Sequence, residues 1–198
     1  MDRLRRAAIV LGIAVGVSAS AAGIVAPTPR EEALAAFAHL HRVATHPRCA
    51  NCHSGSDQPR NGERTTGIRP HAMNVTRRIQ GLGMPCTTCH QMQNLPGKHM
   101  PPGAPHWTMP EDRDKAIAGS TSSRELCAMW TDARRNRFES GDRRGQARTP
   151  ADLLVHVTQD PLVRWAWEPG DGRDPAPGTH VQFVQRFAVW VKGGAPCP

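Results

Sequence analysis

Two copies of one pentapeptide pattern, Cys-x-x-Cys-His, constrain this chain more than any other feature. The first lies in "HPRCANCH" as Cys49, Cys52 and His53. The second follows 37 residues later in "MPCTTCH" as Cys86, Cys89 and His90. Cysteines three apart lie on the same side of one helical turn. Both sulfurs can therefore grip one flat group, and the histidine after them can turn its imidazole beneath it. This is the attachment signature of c-type haem: the sulfurs form thioethers and the histidine becomes the proximal iron ligand. The expectation is two covalently bound haems c.

Other uses of paired cysteines fit less of the pattern. Four cysteines in two pairs suit tetrahedral zinc, but 33 residues separate the pairs. Zinc also has no need of histidine directly after both. A redox dithiol of the thioredoxin kind wants a βαβ context, which the chain lacks. A disulfide framework leaves both histidines unexplained. Cys127 and Cys197 fall outside the motifs, and two leftover cysteines in an oxidising compartment are expected to pair.

The N-terminus points to such a compartment. "MDRLRR" is a basic head, "AAIVLGIAVGV" an apolar run and "SASAA" a small-residue stretch suited to cleavage. Residues 1–21 read as an export signal, with an uncleaved anchor reaching to about residue 26 as the alternative. Residues 28–198 form the mature domain, placed in the periplasm and tied to the membrane if the segment is retained.

Composition limits the core. The chain of 198 residues is 38% hydrophobic, lacks Tyr and carries 18 Gly and 18 Pro. Such a chain builds turns readily and a large side-chain core with difficulty, so a bound cofactor is a natural filling. The formal charge is +8. No helix-turn-helix or RNA-binding signature accompanies it, which argues against nucleic acid. The charge suits an acidic protein partner.

Four helices are legible. Thr28, Pro29 and Glu31 open one that carries Leu34, Phe37, Leu40 and Ala44 on a face and stops before Pro47. Ser122 and Glu125 open a second. Thr149-Pro150 open a third, with Leu153, His156 and Val157 sharing a face. Thr179 and Gln182 open a fourth, carrying Phe183, Phe187 and Trp190, with Gly193-Gly194 as its stop. Between them run long loops over residues 54–70, 95–114 and 168–178. Loops of that length are functional or wrap something. The fold expected is mostly α with extensive loops, a cytochrome-c-like di-haem domain.

The sixth ligand of each iron decides carrier or catalyst. Candidates are His39, His41, His46, His71, His99, His106, His156 and His180, with Met73, Met84, Met92, Met100, Met109 and Met129. His156 stands among apolar residues of its helix and needs a partner if buried. His71, in "RPHAMNV", lies between the motifs. These two are the distal ligands expected, with Met73, His99 and Met100 as alternatives. His46 is too near Cys49 to reach across the ring.

The segments "HPRCANCH", "RPHAMNV", "MPCTTCHQ", "PGAPHW", "ELC", "DPLVRWAWEPGDGR" and "GGAPCP" resemble small exported di-haem proteins labelled isoquinoline 1-oxidoreductase subunits. Despite the label, these resemble cytochrome c partners of molybdenum hydroxylases. The similarity runs over most of residues 40–198. The chain departs from the family at Arg77-Arg78, where an Arg-Gly pair is usual, and at "DARRNR", which lacks a Pro and Gly turn.

The resemblance implies an electron-transfer protein and no catalytic residue of its own. Its donor would be a molybdenum hydroxylase or another periplasmic dehydrogenase. Its acceptor would be a cytochrome or the respiratory chain. The rival expectation is a di-haem enzyme, peroxidase-like or thiol-oxidising, with one open iron.

Overall fold

Thr28 shows how the first helix starts. Its hydroxyl accepts from Glu31 N at 3.3 Å, and the Glu31 carboxylate accepts from Thr28 N at 2.7 Å. Two amide groups that a helix end leaves orphaned are thus satisfied by neighbours three apart. Pro29 follows at the first helical position, where its missing N–H costs nothing. The result is α1, Pro29–Ala44.

The structure is a computed structural model describing residues 26–63, 83–98, 100–110, 121–139, 141–170 and 172–198. The export segment, His71, Met73 and His99 lie outside the described residues. The same box chemistry starts α3, Ser123–Thr131, α4, Pro150–Gln159, and α6, His180–Lys192. Two short helices sit between these: α2, Pro47–Ala50, capped by His46, and α5, Pro161–Trp165, capped by Asp160. No strand occurs among the described residues; Arg137 and Ala147 form an isolated antiparallel bridge. No described helix is long and apolar enough to cross a membrane.

Packing centres on α1 and α6. The buried stripe of α1 is Ala33, Ala36, Phe37, Leu40, Val43 and Ala44; Leu34 is only half-buried. From α6 come Phe183, Phe187 and Trp190. Ala33 of α1 packs against Gly193, just after α6, and a Cβ on that glycine would strike the Ala33 Cβ. Farther along α1, His39 lies beside Gly178, just before α6 begins. The pair therefore runs in opposite senses.

Aromatic rings fill the junction with α3. Phe37 stands edge-on to Trp130 at 5.8 Å, and Trp130 stacks on Phe187 at 5.3 Å. Trp190 is fully buried and donates its indole N–H to Pro196 O at 3.0 Å. A buried tryptophan is tolerated because that polar atom is paired. The same tail carries Cys197, bonded to Cys127 of α3. Cys49 packs against this core, and Phe183 and Phe187 of the core also line the hollow beside the first cysteine motif.

Candidate functional site

The first motif is positioned by a restart of the helix. α1 ends at Ala44, and His46 Nδ1 then accepts from Arg48 N at 3.3 Å. With Pro47 next, this caps the single turn of α2 and carries Cys49 with it. Cys52 N reaches Cys49 O at 3.2 Å and His53 N reaches Cys49 O at 3.0 Å.

The second motif repeats this geometry on a separate piece of chain. A 3₁₀ turn spans Cys86–Thr88. Cys89 N reaches Cys86 O at 3.2 Å and His90 N reaches Cys86 O at 3.0 Å. The two motifs share a local backbone form although only the first directly follows a described long helix.

Their surroundings differ. Burial pushes the Cys49 thiol up to about 12, reinforced by Cys52. Burial likewise pushes Cys52 up to about 11, and the next contribution comes from Cys86. The first thiol of the second motif is thus within electrostatic reach of the first motif. Cys86 itself is raised by burial, whereas Cys89 is exposed. No three of His, Cys, Asp and Glu gather as a metal-ligand set among the described residues.

Beside the first motif lies a cavity of about 420 Å³. Cofactor sites span roughly 300–1,000 Å³. Cys49, Cys52 and His53 are on its wall, facing an otherwise mainly apolar lining that includes Leu153, Val157 and Phe187. His156 is on the wall too, half-buried, with Nδ1 at 3.3 Å from Asp160 Oδ2. Burial pushes the Asp160 carboxyl up, but hydrogen bonds from His156 and Leu162 N outweigh it and hold the group below its usual range. A carboxylate on one imidazole nitrogen leaves the other to meet a metal, a pairing metal-bound histidines commonly show.

His90 is oriented in a comparable way. Its Nδ1 donates to Pro102 O at 2.8 Å, which fixes tautomer and ring direction. Trp107 stacks on the imidazole at 4.4 Å, nearly parallel. His106 precedes it at φ +60°, a left-handed value that few residues adopt. The loop carrying Pro102 crosses the loop after the motif at Gly103. A Cβ there would collide with the carbonyls of Gln91 and Gln93. Only glycine permits that close backbone approach.

Trp165 joins the two halves. It lines the cavity beside Cys49, meets Trp107 edge-on at 4.8 Å and donates to Asn94 Oδ1 at 2.9 Å. Asn94 also accepts from Gly103 N at 3.0 Å. The guanidinium of Arg48 lies 5.7 Å from the Trp165 ring centre.

The remaining sequence candidates separate cleanly. His41 Nε2 donates to Thr121 O and His180 Nε2 to Val157 O. His46 serves as a helix cap, and His39 and His106 lie off the cavity wall. Met84, Met92 and Met100 are exposed. Met109 and Met129 are buried on the wall with His156. Sequence reasoning missed Arg48, Arg148 and Trp165 as wall residues. Their approach depends on loops, and no local spacing marks it.

The wall can be tested against the group the motif implies. Two adjacent thiols, an imidazole, an apolar hollow and a second oriented imidazole suit a haem held by Cys49, Cys52 and His53. Two wall residues, Arg48 and Arg148, each have a buried Nε without a hydrogen-bond partner; Arg48 is paired with Glu63 through another nitrogen, which leaves Arg148 the better match for a group that brings its own anions. Comparison with known proteins finds no match: no family model, curated protein or solved structure is recognisably similar to the chain.

Proposed function

We propose that this chain is an exported di-haem c-type cytochrome that moves single electrons between redox partners. The observation that carries the reading is the placement of Cys49, Cys52 and His53 around one apolar cavity, with the second motif in the same local backbone form. Cys49 and Cys52 would hold one haem by thioethers, with His53 as proximal ligand. Cys86, Cys89 and His90 would hold the other.

A haem bound in this way supplies one-electron redox chemistry. The chain's own contribution is orientation and a mainly apolar lining. Pro102 O and Trp107 fix His90; Asp160 aims His156; Leu153, Val157 and Phe187 line the first site. His156 is the distal ligand we assign to the first haem, because it is the wall imidazole already paired through its other nitrogen. His71, Met73 and His99 belong to the same question for the second haem, as does the exposed Met100.

The proximity of Cys86 to Cys52 supports two sites close enough to pass electrons internally. The donor we propose, from the resemblance of the sequence segments, is a molybdenum hydroxylase or another periplasmic dehydrogenase. The acceptor is a cytochrome of the respiratory chain. Stoichiometric reduction of the purified protein tests the carrier role. Uptake of two electrons per chain, with visible spectra indifferent to cyanide and carbon monoxide, is expected. A spectrum that shifts with either ligand contradicts the closed-iron carrier and favours a catalytic di-haem protein.

A further inference from the structure

Arg148 closes a loop of unusual charge. Residues 132–149 carry six arginines against three acidic residues. The loop folds back on itself through Phe138 N to Gln146 O at 3.0 Å and Gly145 N to Phe138 O at 2.8 Å. At its end Arg148 N donates to Asn136 O at 2.7 Å, and Arg148 O accepts from Asn136 Nδ2 at 3.3 Å. Asn136 is buried, so this part of the backbone is pinned.

The pinned backbone delivers the Arg148 side chain to the cavity wall. There its Nε is buried and makes no hydrogen bond. Burial lowers its pKa, while Glu139, Asp152 and Asp160 raise it through space. Its guanidinium lies 5.2 Å from the Phe138 ring centre. Arg48, on the same wall, is different: it is already matched by an ion pair with Glu63 and a bond to Gly62 O.

A buried guanidinium nitrogen without a partner is costly and calls for an explanation. Carboxylate is the partner whose geometry a guanidinium fork fits best. We infer that Arg148 is a carboxylate receptor in this cavity, set to bind a propionate of the haem that Cys49 and Cys52 hold. The inference rests on the haem reading and names a further binding residue within it. Pairing with Arg148 would offset the negative charge of the propionate and so favour the reduced iron.

The test uses the full matured chain as wild type, Arg148→Leu and Arg148→Lys. Haem content, both midpoint potentials and the propionate bending modes in resonance Raman spectra are read. Arg148→Leu is expected to keep two haems, lower one midpoint, leave the other in place and shift one propionate mode. Arg148→Lys keeps the charge, so its midpoint stays near wild type while the mode still shifts. If Arg148→Leu does not fold, the Raman shift in Arg148→Lys decides by itself. Two bound haems with unshifted propionate modes overturn the role of Arg148 alone. A wild-type protein without haem overturns the reading beneath it.

Discussion

Removing the bond between Cys127 and Cys197 is a perturbation whose size follows from the fold. The two residues are separated by 70 positions. In the chain-entropy account, closing a loop of that length restrains the unfolded state by about 4 kcal/mol. The folded state loses little in return, because the tail has other ties. Trp190 Nε1 donates to Pro196 O at 3.0 Å, and Ala195 N donates to Trp190 O at 2.9 Å. The haem attachments proposed here close only very short loops, so they do not substitute for this restraint.

The double variant Cys127→Ala/Cys197→Ala should therefore fold and lose about 4 kcal/mol in urea unfolding followed by far-ultraviolet circular dichroism. For a chain of this length that corresponds to roughly 8–16 °C in Tm. Visible spectra should be unchanged, since neither cysteine lies on the cavity wall. A loss under about 1 kcal/mol would refute the reasoning, because the loop would then not restrain the unfolded chain. A changed visible spectrum would show instead that the bond shapes the site.

Three further outcomes follow from named contacts. Hydrogen bonds to Thr28 hold the Glu31 carboxyl below its usual range, those to Ser122 do the same for Glu125, and Arg143 and then Thr149 do so for Asp152. Each group binds its proton more weakly folded than unfolded, so the stability it contributes is present above roughly pH 4 and is lost as pH falls toward the folded values. Acid titration should show the loss, and Thr149→Ala should cost about 1 kcal/mol at pH 7, less at pH 2; a cost independent of pH contradicts it. Gly103→Ala should separate the crossing loops, release Pro102 O from His90 and perturb one of the two haem spectra; an unaltered protein contradicts the close approach. Arg134→Glu/Arg144→Glu, both exposed on the basic loop, should slow association with an acidic redox partner, more at low salt than at high; a rate insensitive to both changes and salt places docking elsewhere.

The helix starts were legible because their signal is local. Thr28 with Glu31, Ser122 with Glu125 and Thr179 with Gln182 stand three apart, and each pair forms the reciprocal bonds its spacing predicts. The short helices were harder to see. Pro47, read as a stop, is also the first residue of α2, and Pro161 likewise opens α5. A capping residue followed by proline looks the same before one turn as before four. On α1 the expected face is buried at Phe37, Leu40 and Ala44 and half-buried at Leu34, and the small residues Ala33 and Ala36 are buried as well.

For the site, Cys-x-x-Cys-His is a local pattern, and its backbone form follows from it. The contacts of His90 with Pro102, Trp165 with Trp107 and Arg148 with the cavity join residues far apart in sequence through loops. No periodicity encodes those approaches. Gly103 gave no separate signal, since Gly97 stands in the same proline-rich stretch and only the structure shows which of them meets another backbone.

The central claim concerns covalent chemistry at four sulfurs. Intact mass spectrometry of the mature chain, produced with a working haem-maturation apparatus and followed by peptide mapping, tests it most directly. The account predicts the added mass of two haems, one on the peptide holding Cys49 and Cys52 and one on that holding Cys86 and Cys89. A chain carrying no added mass at these cysteines contradicts it.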